Sequence, residues 1–73
     1  MFDYGKLRGR IVEKYKTGAA FATAVGLTPG QLSARLNNTT PFRVEEIKHA
    51  ANLLDIKPEE LGVYFFTEKV QES

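Results

Sequence analysis

The stretch GLTPGQLSARLNN, residues 26–38, gathers Thr28, Gln31, Ser33, Arg35, Asn37 and Asn38 into one short segment. Amide, hydroxyl and guanidinium groups spaced along a helix can reach donors and acceptors on base edges, each good bidentate pair discriminating by roughly 1 to 3 kcal/mol. Pro29, Gly30 and Ala34 share the segment and have no polar side chain to offer. The question is whether such a helix reads bases or meets something else.

Reaction chemistry has less material. The sole histidine, His49, falls about 200° round its helix from Ile47 at roughly 100° per residue, which turns it to solvent. Glu45, Glu46, Glu59 and Glu60 stand at helix starts, where a carboxylate complements the positive end of the helix dipole. There is no cysteine, and no HExxH, CxxC, EF-hand or glycine-rich phosphate spacing. The sequence therefore points away from an enzyme, and neither a metal nor a cofactor is expected.

The elements that position these residues follow from apolar spacing and punctuation. Leu7, Ile11 and Tyr15 share one face of a first helix, Tyr4–Tyr15, with Lys6, Arg10 and Lys14 alongside and Asp3 as its cap. Thr17 caps a short second helix carrying Phe21 and Val25, which Gly26 closes in a left-handed conformation. Ala22 leaves room for the next helix to cross closely. Thr28-Pro29 starts a third helix, Pro29–Asn37, with Leu32 and Leu36 inward. NNTTPF makes a loop. Val44, Ile47, Ala51 and Leu54 mark a fourth helix, Val44–Leu54, and KPEEL starts a fifth, Pro58–Phe65, which buries Leu61 with Tyr64 or Phe65. Residues 67–73 read as a polar tail behind a single domain of residues 1–66. Phe65, Phe66 and Val70 are assigned to the core, with a homodimer patch as the alternative.

Charge divides the chain more sharply than the formal net charge of +1 suggests. Lys6, Arg8, Arg10, Lys14 and Lys16 make residues 1–16 basic, acidic residues prevail in residues 41–73, and Arg35 alone is charged in residues 17–40. No apolar run approaches the roughly 18 residues of a membrane span, and the basic N-terminal end has no apolar core of an export signal. A cytoplasmic location is expected.

Phe21-Ala22, Gly26-Leu27-Thr28, Leu32-Ser33 and Leu36-Asn37 together resemble the helix-turn-helix of phage repressors of the Cro and lambda-repressor type. The continuation PFRVEEIKHAANLLDIKPEELGVYFF is similar to the later helices of short phage and prophage regulators in that family. The resemblance implies an all-α, five-helix lambda-repressor-like DNA-binding domain with its helix-turn-helix at about residues 18–37. The opening FDYGKLRGRIVEKY and the YFF ending are similar to a smaller group, the phage modulators of repression, which implies a repressor protein as partner.

Two readings follow. In the first, the chain binds double-stranded operator DNA: Gln31, Ser33 and Asn37 bond bases or phosphates, Ala34 meets a thymine methyl, and Thr28, Pro29 and Gly30 line the approach. Arg35, Asn38, Lys6, Arg10 and Thr17 then hold the phosphate backbone, although Gly18 stands where the family usually has a phosphate-bonding Gln. In the second, the small neutral ridge of Gly30 and Ala34 packs against a phage repressor and covers that protein's DNA-reading surface.

Overall fold

A computed structural model of the chain describes residues 1–70. In chain order its elements are α1 (Gly5–Tyr15), α2 (Gly18–Val25), α3 (Pro29–Leu36), α4 (Val44–Leu53), a 3₁₀ turn (Pro58–Glu60) and α5 (Leu61–Phe65). Among the described residues the architecture is all-helical, with one isolated antiparallel bridge between Phe2 and Glu68 as its only extended pairing. Its radius of gyration, 11.7 Å, is close to the ~11 Å of a fully folded chain of this length, so the helices share one core.

Local chemistry fixes where the helices begin. Thr17 Oγ1 accepts from Ala20 N–H (3.1 Å), and Thr28 Oγ1 accepts from Gln31 N–H (3.1 Å) while Gln31 Oε1 takes Thr28 N–H (2.9 Å). The latter is a reciprocal capping box that satisfies two orphan donors at once. Asp3 acts one position earlier than expected: its Oδ1 accepts Gly5 N–H at 2.8 Å, and Tyr4 is the residue flanking α1. Glu46 and Glu60 reach back to the N–H groups of Arg43 (2.9 Å) and Lys57 (3.0 Å).

Each of the first four helices is followed by a residue with positive φ: Lys16 (φ 69°), Gly26 (84°), Asn38 (62°) and Asp55 (55°). At Gly26 the demand is conformational rather than steric, because no atom lies within 4 Å of where a Cβ would stand. Leu27 N–H bonds the Ala22 carbonyl at 2.8 Å, so the chain reverses tightly from α2 into α3.

The core joins Leu7 and Ile11 of α1, Phe21, Ala22 and Val25 of α2, Leu32 and Leu36 of α3, Ala50 and Ala51 of α4, Leu54, Ile56 and Phe65. α2 sits centrally and packs on α1, α3 and α4. Ala22, with no exposed surface, is the small residue that permits this close crossing. On α4 the inward stripe is Ile47, Ala50, Ala51 and Leu54; Val44 is 64% exposed, contrary to the sequence expectation, because it opens the first turn beyond the edge of the core.

The fifth helix also departs from expectation. Its first turn is 3₁₀ and only Leu61–Phe65 is α-helical, a tightening common at helix starts. Phe65 is in the core, with Leu61 and Tyr64 partly buried against it. Phe66 (51% exposed) and Val70 (86%) are outside it, so their assignment to the core is corrected.

Residues 67–69, placed in the tail by sequence, lie against the opposite end of the chain. Asp3 N–H donates to the Thr67 carbonyl (2.8 Å) and Lys69 N–H to that of Met1 (2.9 Å). The aromatic rings of Phe66, Phe2, Tyr4, Phe42 and Phe65 follow one another at centroid separations of 5.4 to 6.1 Å, mostly edge-on, and close this side of the core. Residues 71–73 lie outside the described residues.

Candidate functional site

α3 is amphipathic with an i, i+3, i+4 inner stripe of Leu32, Arg35 and Leu36. Arg35 is therefore inside, not at the surface where a phosphate contact needs it. It is 8% exposed; its Nε donates to Glu46 Oε1 at 2.7 Å, its Nη2 to Oε2 at 3.0 Å, and its Nη1 to the Gln31 carbonyl at 3.0 Å. This bidentate pair ties α3 to the start of α4. The guanidinium, hydrogen-bonded to the carboxylate, holds Glu46 below the usual carboxylate range against the opposing effect of burial.

The outward face of α3 is formed by Pro29, Gly30, Gln31, Ser33 and Asn37, all exposed, with Ala34 half-buried. The loop after α3 turns back on itself there, Thr39 and Thr40 N–H groups both donating to the Ala34 carbonyl (2.8 and 3.2 Å). Gly30 has open space around it, the nearest atom to a notional Cβ being Thr28 Oγ1 at 4.0 Å. Because Arg35 is the sole charge in residues 17–40 and is turned inward, residues 17–40 contribute no exposed ionised side chain to this surface, and Arg8 of α1 reaches its edge at Asn37.

Several polar groups on the face already have intramolecular partners. Gln31 Oε1 and Thr28 Oγ1 are committed to the capping box. Asn37 Nδ2 donates to Ser33 Oγ (3.2 Å), and Asn37 Oδ1 accepts from Arg8 Nη2 (2.9 Å). Asn38 faces elsewhere. Its side-chain amide brackets the backbone of Phe2, Oδ1 accepting Phe2 N–H and Nδ2 donating to the Phe2 carbonyl, each at 2.9 Å.

Of the other three positions assigned to phosphate contact, Arg10 and Lys6 have their neighbours away from α3, and the Thr17 hydroxyl is engaged in a cap. Thr17 Oγ1 caps α2. Arg10 reaches Glu13 Oε1 (3.1 Å) and the Asp55 carbonyl (3.3 Å) and lies 5.7 Å from the Tyr64 ring centroid; its buried Nε has no partner among the described residues. Lys14 adds a 3.0 Å pair to Asp55. Lys6 is exposed on α1, where it lines a shallow recess with Val63 and Thr67, not α3.

Sequence spacing missed two residues that shape the face, Arg8 and Glu46. Arg8 crosses from α1 to the C-terminal end of α3, a contact spanning 29 residues to Asn37 that no local pattern announces. Arg35, expected at the surface, stands three residues after Leu32 and so on the inner stripe, where Glu46 from the next helix accepts its charge.

A family model described as "Protein of unknown function (DUF739)" matches residues 1–68. The chain belongs to that family. It is also similar to the solution structure of the modulator of repression (MOR) of the temperate bacteriophage TP901-1 from Lactococcus lactis, at 37% identity over 96% of this chain and 95% of that one, with a TM-score of 0.80. No curated protein matches. Members of this fold thus include a phage protein named for modulating repression, and the present chain matches it along almost its full length.

Proposed function

We propose that the chain is a phage or prophage regulator that binds a repressor protein through the outward face of α3 and covers that repressor's DNA-reading surface. The scaffold is read as a helix-turn-helix of the repressor and Cro type whose third helix has been turned from DNA to protein. The observation that carries the proposal is the burial of Arg35 on Glu46, which leaves residues 17–40 without a surface cation. Affinity for a duplex comes chiefly from neutralising phosphates with Lys and Arg, and a face lacking both suits a protein partner, where a small neutral centre packs closely. Similarity to the TP901-1 modulator of repression supports the same reading. The encounter involves no chemical step and would take place in the cytoplasm, where a repressor meets its operator.

The layout of α2, a glycine turn and α3 favours one competing reading, direct operator binding by α3 in the major groove. A gel shift on the intergenic region beside the phage's repressor gene separates the two. The proposal expects no shift by this chain alone, a shift by the repressor, and loss of that shift when the chain is added, with a one-to-one complex on size exclusion. Tight, sequence-dependent shifting by this chain alone overturns it.

A further inference from the structure

Where α3 ends, a recess of about 250 Å³ opens between it and the N-terminal segment, its walls including Asp3, Arg8, Asn37, Asn38 and Lys69. At ~30 Å³ per liquid water it has room for a side-chain carboxyl group. Arg8 enters from α1 with Nη2 fixed on Asn37 Oδ1 (2.9 Å) and on the Leu36 carbonyl (3.3 Å). The side-chain bonds of Arg8 both come from Nη2, leaving Nε and Nη1 without a hydrogen-bond partner among the described residues, and the residue is exposed. Asp3, the only carboxylate on the wall among the described residues, has its Oδ1 on Gly5 N–H. A guanidinium anchored at one nitrogen keeps its remaining donors in a fixed orientation, ready for an acidic group without further ordering.

We infer that this recess is a carboxylate-accepting site at the rim of the α3 face, in which Arg8 receives one Asp or Glu side chain of the partner protein. The inference rests on the protein-binding reading above and adds to it the chemistry of one contact. A protein carboxylate fits better than a DNA phosphate. Phosphates recur along a duplex at intervals of a few ångströms and are held by several cations in succession, whereas the recess gathers Arg8 and Lys69 at one spot and residues 17–40 beside it offer no exposed cation to continue a row. A single cationic recess, with Arg8 oriented and Lys69 beside it, at the rim of a neutral face matches one acidic side chain of a docked protein.

The test titrates the phage's repressor with the intact chain and with Arg8→Gln, Arg8→Glu and Lys69→Glu by calorimetry. Arg8→Gln should weaken the complex by about tenfold and Arg8→Glu by more. The wild-type complex should weaken from low to roughly 0.5 M salt while the Arg8→Gln complex responds less, since its ionic contact is gone. Arg8 also bonds the end of α3, so amide exchange of α3 is measured alongside. Lys69→Glu, which leaves α3's bonds untouched, should weaken binding too. An acidic-to-lysine change on the repressor that restores binding to Arg8→Glu identifies the carboxylate. If wild type forms no complex, the functional proposal falls and takes this one with it. If wild type binds and all three variants bind within about twofold of it, only the recess is overturned.

Discussion

α1 and α3 lie in one small domain and treat charge in opposite ways. α1 is rich in cations, yet Arg10 and Lys14 are fastened to Asp55 at the end of α4 and Arg8 is partly spent on the end of α3. α3 has one cation and buries it. The difference teaches that counting basic residues does not locate a phosphate-binding surface: what matters is which guanidinium and ammonium groups remain free on the face that meets the partner. On that measure α1 keeps Lys6 and part of Arg8 free, while α3 contributes no free cation and a smooth neutral surface.

The comparison is sharpened most by releasing Arg35. Glu46→Gln leaves a nearly buried guanidinium without its anion, and urea unfolding should report a loss of roughly 2–4 kcal/mol; an unchanged midpoint would show that α3 is held by its leucines alone. The pH dependence has a defined sign. Glu46's folded pKa is lowered by Arg35, so the pair's contribution is complete above the ordinary glutamate range and disappears as pH falls through the lowered value. Glu46→Gln should flatten that acid limb.

Next in size is the turn that aims α3. Gly26→Val forces a β-branched side chain into a left-handed conformation and should cost about 1–2 kcal/mol in thermal or urea unfolding, with no change expected if the turn can relax into another shape. Gly30→Arg attacks the neutral face directly. Space around Gly30 is open, so folding should be retained while repressor affinity falls about tenfold, a loss of ~1.4 kcal/mol; equal or tighter repressor binding would remove the ridge from the interface. Smallest is Lys14→Ala on the other helix. Its partner Asp55 is 73% exposed in the pair, so stability should change by less than ~0.5 kcal/mol, and repressor binding should not move.

The helices and their starts were legible because their causes are local. Thr17, Thr28 and Pro29 act on groups within three residues, and Gly26 is demanded by its own φ. Legibility failed where the cause lies across the fold. Val44 fits a helical period but its turn overhangs the core, and the last aromatic residues divide between core and surface according to what the N-terminal segment covers. The candidate face was half readable. Gly30 and Ala34 stood out as small, while Arg35's destination depended on Glu46, one helix further on. Arg8 and Asn38 make contacts 28 to 36 residues away, and nothing in the spacing of α1 or α3 encodes them.

The inward turn of Arg35 also bears on kinetics. The centre of the patch emits almost no field, so steering would fall to the Arg8 recess at its rim, and association at a surface without that recess would proceed at the unsteered rate of about 10⁵–10⁶ M⁻¹s⁻¹. Occupancy of the repressor would then follow from how many copies of each protein the cell makes and how slowly the pair separates, which makes dosage the quantity this molecule reports.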